Sequence, residues 1–161
     1  MIQIQPFNLA FTDDVIALIL PIQQLEFSLP VTIEHQPDLL KIPDVYQADG
    51  KGNFWIALDG DKVVGTIALM DIGNEQAGLR KMFVDKNYRG PEHRIGKRLL
   101  DTLISWAKEK GFKDIYLGTT EVMTTAHRFY EKNGFVEVER ENLPNERFTS
   151  LVDKKFYHLV L

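Results

Sequence analysis

Cysteine is missing from all 161 residues, which excludes disulfides, thiolate zinc sites and a cysteine nucleophile together. The four histidines, His35, His93, His127 and His158, lack metal-ligand spacing, so no protein-bound metal is expected. No apolar run approaches the roughly 18 residues of a membrane span, and MIQIQPFNLAFTDD lacks the basic-then-apolar layout of a signal peptide. The expectation is a cytoplasmic protein without a membrane partner. Nucleotide motifs are absent too. There is no G-x-G-x-x-G and no G-x-S-x-G, and G-P-E-H-R-I-G-K-R puts five residues between glycines where a phosphate loop has four. Arg98 also stands where that motif needs a magnesium-binding hydroxyl. Internal repeats and low-complexity segments are missing as well.

What is present is a chain of 44% hydrophobic residues, enough for one sizeable core and one domain, residues 1–161. IQIQ (2–5) alternates like a strand, and Thr12 followed by Asp13 and Asp14 marks a helix start whose acids complement the first-turn dipole. Pro21 interrupts the stripe Val15, Leu18, Ile19, Ile22, Leu25 and predicts a kink or two short helices. PDLLKIPDVY (37–46) has room for another helical turn or two. FWIALD (54–59) and KVVGTIALM (62–70) flank Gly60-Asp61 as a β-hairpin, and a second turn at 73–75 leads into a strand ending at Val84. Ile95, Leu99, Leu103 and Ala107, with Leu100 and Ile104 beside them, predict an amphipathic helix that Gly111 ends. DIYLGT (114–119), a helix over about 123–132, FVEVER (135–140) and KKFYHLVL (154–161) complete a mixed α/β domain around six or seven strands.

Charge is unevenly spread. The net charge is −4, yet residues 86–98 carry Lys86, Arg89, Arg94, Lys97 and Arg98 against Glu92 alone. Duplex nucleic acid needs a broader basic face, so no nucleic-acid partner is expected, whereas a small polyphosphate needs only a patch. A strand feeding a helix through a glycine-containing basic loop leaves helix-terminal amides free to meet an anion. Residues 1–50 instead hold seven acids and a single base, Lys41, a balance that favours a cationic ligand on that half.

The order of elements, with LRKMFVDKNYRG, IGKRLLDTLISWAKEKGF, IYLGTT and AHRFYEKNGFVEV, resembles the GCN5-related N-acetyltransferase (GNAT) family over nearly the whole chain, most specifically over residues 79–138. The resemblance implies a mostly antiparallel sheet with helices on both faces and a splayed strand pair, 79–84 and 114–119. Acetyl-CoA would be the cosubstrate and would lie in the splay. Met82, Phe83 and Val84 would line its pantetheine, while Arg89, Gly90, Arg94, Ile95, Gly96 and Lys97 would hold its pyrophosphate. The family's loop runs Arg-Gly-x-Gly-x-Gly. Here seven positions rather than five separate Arg89 from Gly96, and Arg94 stands in the middle glycine's place, so a longer loop on a different path is expected.

By the same resemblance Tyr130 is the general acid that protonates the departing thiolate. The glutamate many members carry just before Leu79 is Gly78 here, and an asparagine common three residues before Ala126 is Met123. Glu75 and Glu121 are the remaining candidates for the base, with His127 one helical turn from Tyr130. The implied activity is transfer of acetyl from acetyl-CoA to a small-molecule or peptide amine in a ternary complex. A non-catalytic acyl-CoA-binding module is the alternative. A homodimer is an expectation of the family.

Overall fold

In a computed structural model covering residues 1–161, seven strands form one sheet in the order β1-β2-β3-β4-β5-β7-β6. β1 (Ile2–Pro6), β2 (Asn53–Asp59), β3 (Lys62–Gly73) and β4 (Gln76–Val84) make an antiparallel meander. The β3–β4 turn uses Asn74 and Glu75 at φ 55° and 60°, the left-handed pair that matches the twist of a hairpin. β5 (Asp114–Thr119) runs parallel to β4, and β7 (Lys155–Val160) and β6 (Val136–Val138) close the sheet. β6 is shorter than FVEVER suggests. Its outer edge is unpaired and Val136 is exposed, so alternation there has no layer to bury against.

One face is covered by α2 (Ile95–Glu109) and α3 (Thr124–Lys132), the other by α1 (Thr12–Pro21), the turns after it and the 143–153 loop. α2 buries Ile95, Leu99, Leu100, Leu103 and Ala107 against Ile67, Leu79, Ile115 and Leu117. Gly65 on β3 sets how closely it lies: a Cβ there would come within 3.0 Å of Ile95 and Leu99. α1 packs Val15 and Ile19 on Phe54, Ile56 and Ala68. As the sequence suggests, two short helical segments meet at Pro21, α1 and a wider turn over Ile22–Glu26. The proline has no N–H and crowds the preceding turn, so the helix widens, and Phe27 donates to the carbonyl of Ile22 five residues back (3.1 Å). No helix is long and apolar enough to cross a membrane.

Two irregularities make the site. Parallel pairing of β4 with β5 covers only Gln76–Gly78 against Asp114–Tyr116, after which β4 pairs with β3 alone and β5 with β7 alone. The sheet therefore opens between two interior strands. Beside the opening, Ile67 of β3 faces both Lys81 and Met82, a β-bulge in which Lys81 takes φ 53° and its carbonyl accepts from Thr66 Oγ1 at 2.6 Å.

Candidate functional site

The splay opens into a cleft of about 940 Å³ bounded by the end of β4, the start of α2 and α3. Ten residues singled out from the sequence, Met82, Phe83, Val84, Arg89, Gly90, Arg94, Ile95, Gly96, Lys97 and Tyr130, all line it. The remaining two do not. Glu75 sits at the far end of β4, exposed in the β3–β4 turn and 3.3 Å from Lys113. Glu121 is exposed in the β5–α3 loop beside the lining residue Val122. Neither carboxylate is brought to Tyr130. His127 is also turned aside, its Nε2 2.7 Å from the carbonyl oxygen of Thr120.

The loop into α2 begins with a turn over Lys86–Tyr88, capped by the Asp85 carboxylate accepting from Asn87 N–H (2.9 Å). Tyr88 is tied down by donating to Asp59 at 2.6 Å. The loop then makes a turn at 91–93, with Pro91 and Glu92 exposed, and the path returns through Arg94 at φ 51°, ψ 37°. A left-handed conformation at a residue with a Cβ stores strain of order 1 kcal/mol. Arg94 thus takes the backbone shape for which glycine is usual, and it exposes its guanidinium without an ion-pair partner. No side chain caps α2, so the first-turn amides, Ile95 to Lys97, have no partner within the helix and face the cleft beside Gly96.

Two of the basic side chains that line the cleft are already engaged. Arg89 makes a bidentate pair with Glu26 across the cleft, at 2.5 and 2.9 Å, while its Nε donates to the Val84 carbonyl. The pair holds the Glu26 carboxyl below the usual carboxylate range. Lys97 reaches Asp101 (3.0 Å) and Asn133 Oδ1 (2.9 Å), which ties α2 to α3. Glu26 was invisible as a site residue in the sequence, because its partner is 63 residues away.

Tyr130 is 6% exposed, packed among Phe129, Phe135 and Tyr157, with its hydroxyl donating only to Met82 Sδ at 3.6 Å. Burial raises its pKa well above that of a free phenol, with the charge of Asp153 adding to the effect, so it stays neutral and able to donate.

Behind the bulge, on the α1 face, lies a buried polar cluster. Asp38 accepts from Tyr46 (2.7 Å) and lies 3.8 Å from Arg80 and 3.6 Å from Lys81. Lys81 Nζ donates to Gln36 (2.6 Å), which exchanges amide hydrogen bonds with Gln23. Burial lowers the Lys81 pKa to about 8, with Asp38 opposing it. Of the acids in residues 1–50, Glu26 in the cleft lining and Asp38 behind the bulge are paired by the protein's own cations. Those two carboxylates therefore offer no unpaired negative charge to a ligand.

Gly78 has its own cause. A Cβ at that position would collide with Phe148 from the 143–153 loop, so no larger side chain fits where the family often has glutamate.

The profile of the Acetyltransferase (GNAT) family matches residues 17–135. The N-acetylaspartate synthetase of Xenopus tropicalis is 35% identical over 127 residues, 76% of this chain and 45% of that protein. The chain spans about half the length of the N-acetyltransferases it matches by sequence. A GNAT-family acetyltransferase from Staphylococcus aureus Mu50, known from its crystal structure, superposes with a TM-score of 0.95 at 40% identity, covering 100% of this chain and 99% of the other. The fold also matches, at 18% identity and a TM-score of 0.75, the PaiA N-acetyltransferase of Thermoplasma acidophilum crystallised with coenzyme A, covering 100% of this chain and 99% of that one. With its splayed seven-stranded sheet and its match across residues 17–135, the chain belongs to the GNAT family of acetyltransferases.

Proposed function

We propose that the protein moves the acetyl group of acetyl-CoA directly to an amine held in the same complex. The carrying observation is the opening of β4 from β5 beside an uncapped helix start, which joins an apolar slot to an anion site in one cleft. Pantetheine lies along Met82, Phe83 and Val84, whose edge toward β5 is unpaired. The pyrophosphate sits on the α2 amides at Ile95, Gly96 and Lys97, with Gly90 and Arg94 completing the turn and Arg89 supplying charge after exchanging its carboxylate partner for phosphate. Without cysteine, no acyl-cysteine can form, which supports attack by the amine itself on the thioester.

Tyr130 is the general acid. Its hydroxyl borders the cleft, and its neighbour Met82 is one of the pantetheine-lining residues. The burial that keeps this phenol neutral also makes a thiolate costly there, so a hydrogen bond to sulfur strengthens as the C–S bond breaks.

A thiol-release assay with acetyl-CoA and a panel of amines tests the reading, and a protein without cysteine adds no background thiol. Release that depends on an amine supports it. Coenzyme A binding without transfer to any amine would favour an acyl-CoA-binding module, and absence of binding would reject both.

A further inference from the structure

With the acceptor on the α1 face of the splay, as membership of the family implies, we infer that it is a small amine that also carries a carboxylate, with Asp153 receiving its ammonium and Arg80 and Lys81 its anionic group. The inference rests on the acetyl-transfer reading and deepens it. The cleft places the coenzyme on the α2–α3 side, and the strands part immediately after Gly78 and Tyr116. An amine attacking the thioester carbonyl through that opening comes from the other face. The cleft already reaches through to it at Ile22, Phe27 and Phe83.

Asp153 is delivered to this face by the 143–153 loop. It is 6% exposed, and its carboxylate lies over Gly118 of β5, where any Cβ would collide with Oδ2. Gly118 is two residues beyond the last rung shared with β4, just where the strands have separated. Ser150 fixes the carboxylate by donating its N–H to Oδ2 (2.9 Å) and its hydroxyl to Oδ1 (3.0 Å). No ion pair includes it: Arg80 and Lys81 feel its charge but are held by Asp38, and Arg140 reaches only its carbonyl oxygen. Tyr130 feels the same charge from the other side of the splay. A buried carboxylate outside any ion pair, whose charge reaches Tyr130 across the opening, is suited to an ammonium.

The bulge explains the other half. With Lys81 left-handed, the consecutive residues Arg80 and Lys81 both turn to Asp38. Two cations share that single carboxylate, and Arg80 spends only Nη1 on protein partners, Tyr46 at 3.1 Å and Asp38. Its Nε and Nη2 are left for an anion. A zwitterion matches this arrangement group for group. A polyamine would press its second ammonium against Arg80 and Lys81 in a poorly solvated site, which like charges do not tolerate.

In the transfer, the ammonium gives one proton to Asp153, freeing the lone pair that forms the C–N bond. As the C–S bond breaks, sulfur takes the Tyr130 proton, and the second proton lost from nitrogen returns to the phenolate. Asp153 then releases its proton to solvent. Burial raises the Asp153 pKa above the ordinary carboxylate range, against the opposing Ser150 hydrogen bonds and the charges of Arg80 and Lys81, which brings it closer to the pH at which it works.

The test uses free amino acids, the corresponding amino-acid amides and spermidine in the thiol-release assay. Free acids are expected to exceed their amides at least tenfold in kcat/KM, with spermidine inert. Arg80→Gln should erase the preference through KM. Asp153→Asn, which keeps an acceptor for Ser150, should lower kcat at neutral pH by about 100-fold or more and shift the rate's rise to higher pH, where the amine deprotonates itself, with coenzyme A affinity unchanged. Equal turnover of acids and amides, or Asp153→Asn with the parent's rate and pH profile, would overturn the assignment while leaving acetyl transfer standing. Release with none of the amines would overturn both.

Discussion

Replacing Tyr130 by phenylalanine separates the proposed chemistry from packing, because the ring makes the packing contacts and the hydroxyl makes almost none. The ring fills a gap among Phe129, Phe135 and Tyr157, and phenylalanine fills it as well. The hydroxyl's single partner is the thioether of Met82 at 3.6 Å, a weak acceptor. Its loss should therefore change stability by no more than about 0.5 kcal/mol. An acid acting on the leaving thiolate contributes roughly 10²- to 10⁴-fold, or about 3–5 kcal/mol of transition-state stabilisation. Steady-state thiol release gives kcat, calorimetry gives the coenzyme A affinity, and thermal unfolding gives stability. The expected result is a lone collapse of kcat. An unchanged kcat would remove Tyr130 from the mechanism, and equal losses in affinity and stability would reduce it to a packing residue.

The other outcomes follow from neighbouring contacts. Gly96→Glu should abolish coenzyme A binding, since a side chain there projects toward Met82 and Phe129 and sets a negative charge at the α2 amides; retained affinity in calorimetry would mean that the pyrophosphate lies elsewhere. Glu26→Gln releases Arg89 from a half-exposed pair worth roughly 1 kcal/mol at most, so coenzyme A should bind up to about fivefold more tightly, and weaker binding would show that the pair itself shapes the site. For Lys81 the folded pKa of about 8 lies below the ordinary lysine value of about 10.5 in the unfolded chain, so the native state sheds its proton first and stability rises with pH between them. Urea midpoints at pH 7.5 and 9.5 should register roughly 2 kcal/mol of such gain, which Lys81→Met should lose; the same gain in the variant would assign it to another group.

Most elements were legible because their signals are local. The spacing of Ile95, Leu99, Leu103 and Ala107 specifies one apolar helix face, and Gly60-Asp61 and Asn74-Glu75 specify tight hairpin turns. The residues of the cleft lining between Met82 and Lys97 were legible for a related reason: they are contiguous in the chain, so a strand, a loop and a helix start carry them together. The base candidates were not. Glu75 and Glu121 flank strands in the sequence, but a nine-residue β4 holds Glu75 at its distant end, and the proposed base, Asp153, reaches the splay from a loop near the end of the chain.

The sequence by itself determined the absence of thiol chemistry, the succession of strands and helices, and the basic glycine loop before an amphipathic helix. Only the tertiary structure decided where β4 leaves β5, that Arg94 takes a left-handed turn, and that Glu26 and Asp38 spend their charge on Arg89, Arg80 and Lys81. The reason is physical. Periodicity and turn preference act over a few residues, whereas burial, charge pairing and the choice of a facing residue are set by segments that meet only when the chain has folded.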